Sequence, residues 1–117
     1  MITISGEGLR LRQVVAVARE GARVTLAEEA KARIASARQV VEEMVEQEKI
    51  VYGITTGFGK FSDTYIDKSA SALLQQNLIF SHACGVGDFL PSEVVRATML
   101  LRANSLAKGF SGVRLEV

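Results

Sequence analysis

The sequence predicts a mainly α-helical chain with a candidate two-stranded β element near its N-terminus. Three observations carry that prediction. Apolar residues recur at helical spacing in four stretches, capping and stop residues punctuate those stretches, and two short β-branched segments, Ile2-Thr3-Ile4 and Val24-Thr25, precede the second of them. With 117 residues the chain can build one core but not two independent ones, so it is one domain or a piece of one.

The first element is Ile2-Thr3-Ile4, which alternates and is β-branched throughout, and Gly6 stops it. Leu9 to Arg19 reads as a short amphipathic helix with Leu11, Val14, Val15 and Ala18 on one face and Gly21 as its stop. Arg23-Val24-Thr25 reads as a second strand, pairing with the first. Thr25-Leu26-Ala27-Glu28 then matches a capping box, in which hydroxyl and carboxylate each satisfy a backbone N–H at a helix start. The helix it opens is predicted to run to about Glu48. Ala30, Ile34, Ala37, Val41, Met44 and Val45 form its apolar stripe, and Glu28, Lys31, Glu42, Glu43 and Gln47 stay polar.

A glycine-punctuated loop, Val51 to Lys60, comes next, followed by a polar stretch whose Asp67 is placed to cap another helix. That helix is expected over about Lys68 to Ala83, with Leu73, Leu74, Leu78, Ile79 and Phe80, and it runs into His82-Ala83-Cys84-Gly85-Val86-Gly87. Pro91-Ser92-Glu93 starts the last helix, because Pro suits the first turn and Glu there complements the helix dipole. It continues to Lys108, with Gly109 as the stop. Val94, Val95, Met99, Leu100, Leu101, Ala103, Leu106 and Ala107 leave little of its circumference polar. Such a helix is expected to be buried among several others, more than this chain supplies, so its apolar surface is expected to meet further chain or other subunits.

Fourteen basic residues against thirteen acidic ones give a net charge of +1, scattered without a run, which argues against nucleic-acid or anionic-membrane partners. One cysteine, Cys84, excludes an internal disulfide, and one histidine, His82, leaves no His/Cys ligand set for a metal. A reducing, cytoplasmic setting is expected. The first residues lack a basic region followed by an apolar stretch, and no apolar run approaches about 18 residues, so neither export nor membrane spanning is expected.

Chemistry points to the loop. Tyr52 lies among Gly53, Gly57 and Gly59, on backbone able to take positive φ and approach a ligand closely. A plain turn with a packed Tyr and Phe is the competing reading. A phosphate loop is excluded, because Ile54 stands where its first glycine should be and Phe61 where Ser or Thr should follow Gly59-Lys60. His82 is a candidate binding residue or a hydrogen-bonded structural one. Cys84 has no His and Asn partners at nucleophile spacing and is expected to be inert and packed. Ser111 is not in a hydrolase elbow.

Three motifs go further. They are Val51-Tyr52-Gly53-Ile54-Thr55-Thr56-Gly57-Phe58-Gly59, Leu74-Gln75-Gln76-Asn77-Leu78-Ile79-Phe80-Ser81-His82-Ala83-Cys84-Gly85-Val86-Gly87, and Arg102-Ala103-Asn104-Ser105-Leu106-Ala107-Lys108-Gly109-Phe110-Ser111-Gly112-Val113-Arg114. In order and spacing they resemble the aromatic amino-acid ammonia-lyase superfamily, and within it the histidine ammonia-lyases. The resemblance spans residues 51–114 from the first motif to the last, more than half of the chain.

It implies the N-terminal helical segment of the ammonia-lyase fold: a small α/β part over about 1–67 with the active-site loop at 51–60, then the start of the helical core over about 68–117. It implies elimination of ammonia from L-histidine to give trans-urocanate, in homotetramers, by an electrophilic methylidene-imidazolone group made from an internal Ala-Ser-Gly. Tyr52 is then the catalytic residue that takes part in proton transfer. A free tyrosine titrates at about 10, so that role needs donors or positive charge beside the phenolate. Gly53, Thr55, Thr56, Gly57, Phe58 and Gly59 form the active-site loop.

Ser81 and His82 are implied as substrate-binding residues, because related phenylalanine enzymes carry an apolar pair there. An imidazole that hydrogen-bonds the substrate ring rejects an analogue lacking that bond. Thr55, which phenylalanine enzymes also carry, keeps a phenylalanine or tyrosine lyase or aminomutase as an alternative. No Ala-Ser-Gly occurs in these 117 residues, and Phe110-Ser111-Gly112 is not its counterpart. The chain alone therefore holds no cofactor precursor and is expected to be inactive. A non-catalytic helical assembly module is the second alternative.

Overall fold

The computed structural model describes residues 1–61, 66 and 68–117. Their elements are β1 (Ile2–Ile4), α1 (Leu11–Glu20), β2 (Val24–Leu26), α2 (Glu28–Glu46), a single 3₁₀ turn (Gly59–Phe61), α3 (Lys68–His82) and α4 (Ser92–Leu106). The fold is mainly α with one small sheet, as expected. The two strands pair in parallel, Ile2 with Val24, Thr3 with Thr25 and Ile4 with Leu26, because α1 serves as the crossover that parallel pairing requires.

That pairing overrides the capping box. Thr25 sits inside β2, and the ladder continues past it where the Ala27 N–H donates to the Ile4 carbonyl at 3.0 Å. The N–H groups of Ala30 and Lys31 turn back onto the Ala27 carbonyl, so α2 starts two residues later than the motif suggests. Glu28 and Glu29 then occupy its first turn, where they complement the dipole, and Glu28 pairs with Lys31 at 2.6 Å instead of reaching back.

By contact the chain forms two compact units, Met1–Val40 with Phe89–Val117, and Val41–Asp88. In the first, Ile4, Val17 and Leu100 are the buried core, and Ile2, Leu9, Val14, Ala22 and Leu26 pack around them. Val17, rather than the expected Leu11, is the buried residue of α1; Leu11 is 79% exposed. The helix is short, and its buried face is set by where α4 lies against it, one position round from the stripe that spacing alone selects. A second cluster of Ala27, Ala30 and Ala107 lets α2 and the end of α4 approach closely.

Two glycines fit this junction. A Cβ on Gly6 would lie 2.8 Å from the Lys108 nitrogen, and one on Gly109, at φ +79°, would lie 2.7 Å from the Arg33 Cβ. Polar links seal the same unit: Gly6 N–H to Asn104 Oδ1 at 3.1 Å, Arg96 Nε to the Val17 carbonyl at 3.0 Å, and Arg19 Nε to Glu93 Oε2 at 2.8 Å.

The described residues do not themselves supply the several helices expected to surround α4. Of its apolar residues Leu100 and, at its C-cap, Ala107 are buried, whereas Val94, Val95, Met99 and Leu101 are exposed. One face packs on α1 and the C-terminal end meets α2, while Met99 and Leu101 are left uncovered by the described elements.

The second unit contains the end of α2, the glycine loop and α3. Helix α2 closes with a Schellman arrangement, Lys49 N–H to the Met44 carbonyl at 3.1 Å and Glu48 N–H to the Val45 carbonyl at 3.2 Å. Glu48 holds the left-handed position at φ 51°, where glycine is usual. The Asp67 cap and the polar stretch 62–65 lie outside the described residues.

Candidate active-site loop and helix end

The loop is organised by its threonines. Thr55 and Thr56 are 8% and 1% exposed, and no other polar or charged residue among those described is buried. The Thr55 hydroxyl accepts the Val51 N–H at 2.9 Å and donates to the Lys49 carbonyl. The Thr56 hydroxyl accepts the Gly53 N–H at 3.4 Å and donates to the Gly57 carbonyl at 2.9 Å. The Val51 carbonyl accepts the N–H groups of Ile54 and Thr55, both at 3.0 Å, and Ile66 N–H donates to the Thr55 carbonyl at 2.9 Å.

Tyr52 sits at the crest of this closed turn. Its side chain is free of the turn's interior: the residue is 64% exposed, and its ring meets Phe58 edge to face at 6.1 Å between centroids and 67° between planes. Gly53 (φ 76°) and Gly59 (φ 58°) use the left-handed backbone that glycine allows; Gly57 does not, and is buried instead. The phenol is therefore presented outward by a turn whose polar groups are satisfied internally.

The other predicted residues lie at the end of α3. Ser81 Oγ donates to the Leu78 carbonyl at 2.9 Å, and His82 Nδ1 is 2.9 Å from both that carbonyl and Ser81 Oγ. A carbonyl only accepts, so in the tautomer with its hydrogen on Nδ1 the ring donates to Leu78 and offers Nε2 as an acceptor. Ser81 and His82 are exposed. Cys84 is exposed rather than packed, its thiol 3.6 Å from the His82 carbonyl, because α3 has already ended and the chain turns outward there.

The structure thus gathers the predicted residues into two groups, Tyr52 with Phe58 over the threonine-held turn, and Ser81 with His82. Sequence reasoning placed Thr55 and Thr56 in the site but missed that both hydroxyls point into the loop. The signal was present in the ability of threonine hydroxyls to bond backbone two to four residues away.

The sequence profile described as aromatic amino acid lyase matches residues 9–117. The chain belongs to this family. A histidine ammonia-lyase from Caldanaerobacter subterraneus subsp. tengcongensis is 60% identical over 115 residues, covering 98% of this chain and 23% of that relative. The crystal structure of a histidine ammonia-lyase from Trypanosoma cruzi superposes with a TM-score of 0.89 at 40% identity, over 98% of this chain and 22% of that one. The ergothioneine-degrading ergothionase from Treponema denticola superposes at 0.92 and 35% identity, over 98% and 23%. The lyase-family chain thus spans about a quarter of the length of the relatives it matches, and corresponds to their N-terminal portion. Among the described residues no helix is long and apolar enough to cross a membrane.

Proposed function

We propose that this chain forms the N-terminal part of a histidine ammonia-lyase, a carbon–nitrogen lyase that releases ammonia from L-histidine to give trans-urocanate, in a cytoplasmic homotetramer. The observation that carries the choice of histidine is the end of α3, where His82 is exposed with Nδ1 held on the Leu78 carbonyl. The remaining ring nitrogen is an acceptor suited to an imidazole N–H, a bond that a phenyl ring cannot make. Tyr52 is the phenol for proton transfer, presented on a turn closed by its own hydrogen bonds. The methylidene-imidazolone electrophile would activate the substrate for loss of its amine. Its Ala-Ser-Gly precursor is not among these 117 residues, so the chain by itself is expected to be inactive.

The test is a graft. Residues 1–117 replace the corresponding segment of the Caldanaerobacter relative, and the chimera is expected to convert L-histidine to urocanate while the 117-residue chain alone does not. His82→Phe in the chimera is expected to lower kcat/KM for histidine by about a hundredfold or more relative to phenylalanine. Urocanate formed by the chain alone, or unchanged selectivity in His82→Phe, would refute the proposal.

A further inference from the structure

We infer that Thr55 and Thr56 are positioning residues that fix the orientation of Tyr52 by holding the turn backbone on either side of it, Thr56 at the Gly53 N–H and Thr55 at the Val51 N–H. This rests on Tyr52 being the reactive phenol, and it assigns the two threonines a task distinct from touching substrate.

The geometry is specific to that position. A peptide unit is planar, so the direction of a side chain is set once the planes before and after its Cα are set. The plane before Tyr52 carries the Val51 carbonyl, which takes the backbone N–H groups of Ile54 and Thr55, and the next unit back carries the Val51 N–H, which ends on the Thr55 hydroxyl. The plane after Tyr52 carries the Gly53 N–H, which ends on the Thr56 hydroxyl. Each hydroxyl then spends its hydrogen on a second backbone carbonyl, Lys49 for Thr55 and Gly57 for Thr56. Both threonines are buried while the tyrosine they bracket is exposed. With its only hydrogen given to the Lys49 carbonyl, the Thr55 hydroxyl has none left to donate to a substrate ring, and discrimination falls to Ser81 and His82. The β-branched side chain adds to the effect, since threonine is stiff about χ1 and aims its hydroxyl more narrowly than serine does.

The experiment compares Thr55→Val, Thr56→Val, Thr55→Ser and Thr56→Ser in the 117-residue chain. Amide deuterium exchange and the Tyr52–Phe58 nuclear Overhauser contact are the readouts. Valine keeps the shape and removes the hydroxyl. Exchange at Val51 is expected to rise about tenfold or more in Thr55→Val, and at Gly53 in Thr56→Val, with weakening of the ring contact. The amides around Ile4, Val17 and Leu100 should stay as in the parent, and serine should restore the parent pattern. Unchanged exchange and ring contact in both valine variants, or serine variants that behave like valine, would overturn the inference. If a valine variant unfolds outright, the serine variant decides: parent-like exchange and ring contact support the hydroxyl clamp, and loss of either overturns it.

In the chimera, the valine variants are expected to lower kcat about ten- to a hundredfold with KM changed by less than about twofold, as misplacement of a reacting group does. Failure of the functional reading has a different signature. There, Tyr52→Phe leaves turnover intact while the exchange results still hold.

Discussion

At the scale of single residues, exposure separates Tyr52, the phenol proposed to react, from the threonines that hold its turn. Tyr52 is 64% exposed and touches Phe58 with its ring edge, so removing its hydroxyl disturbs no hydrogen bond among the described residues. Tyr52→Phe is accordingly expected to change unfolding free energy by less than about 0.5 kcal/mol. In the chimera it should lower kcat about a hundredfold or more, as loss of a proton-transfer group does. Thermal unfolding and histidine turnover on the same preparation check both halves. A large stability loss would show that the phenol is structural, and retained turnover would remove it from the chemistry.

At the scale of elements, most of the helices were legible because a 3.6-residue apolar period survives in the packed state. Ala30 and Ile34 are buried on the stripe that spacing selects, and α3 and α4 end within two residues of the expected positions. Failures came where a distant partner outweighed a local motif. Thr25 belongs to a strand because Thr3 pairs with it, and no window of a few residues contains both. Glu48 is the opposite case, a residue without turn preference in a left-handed position, imposed by the close of α2 just before the loop. Glu48→Gly relieves that conformation and is expected to stabilise the chain by about 0.5 to 1 kcal/mol. Urea unfolding followed by helix signal measures it, and a loss of stability would show that the Glu48 side chain contributes more than its backbone costs.

The glycine loop lies between these cases. Its place and the tyrosine within it were visible from Gly53, Gly57 and Gly59, but the hydrogen bonds of Thr55 and Thr56 were not, since hydroxyl direction depends on closed backbone geometry. Ser81 and His82 were legible as neighbours, while the carbonyl that orients the ring lies one helical turn back.

At the scale of the whole molecule, the described residues show more apolar surface than a chain that works alone usually does. Leu73, Ile79 and Phe80 on α3, Val86, Phe89 and Leu90 after it, and Met99 and Leu101 on α4 are all exposed. The 117-residue chain is therefore expected to bind a hydrophobic dye and to sediment as a self-associating species. A sharp monomer without dye binding would show that these faces need no cover.

The parallel strand pair and its core also have a consequence for synthesis. Ile4 is made about a hundred residues before Leu100, yet it is buried against Val17 and Leu100, so the core of its unit waits for α4. Until Leu100 leaves the ribosome, β1, α1 and β2 can form but cannot close, and contacts of such sequence separation form slowly. A nascent chain paused in the glycine loop would carry its future phenol before it has a finished core.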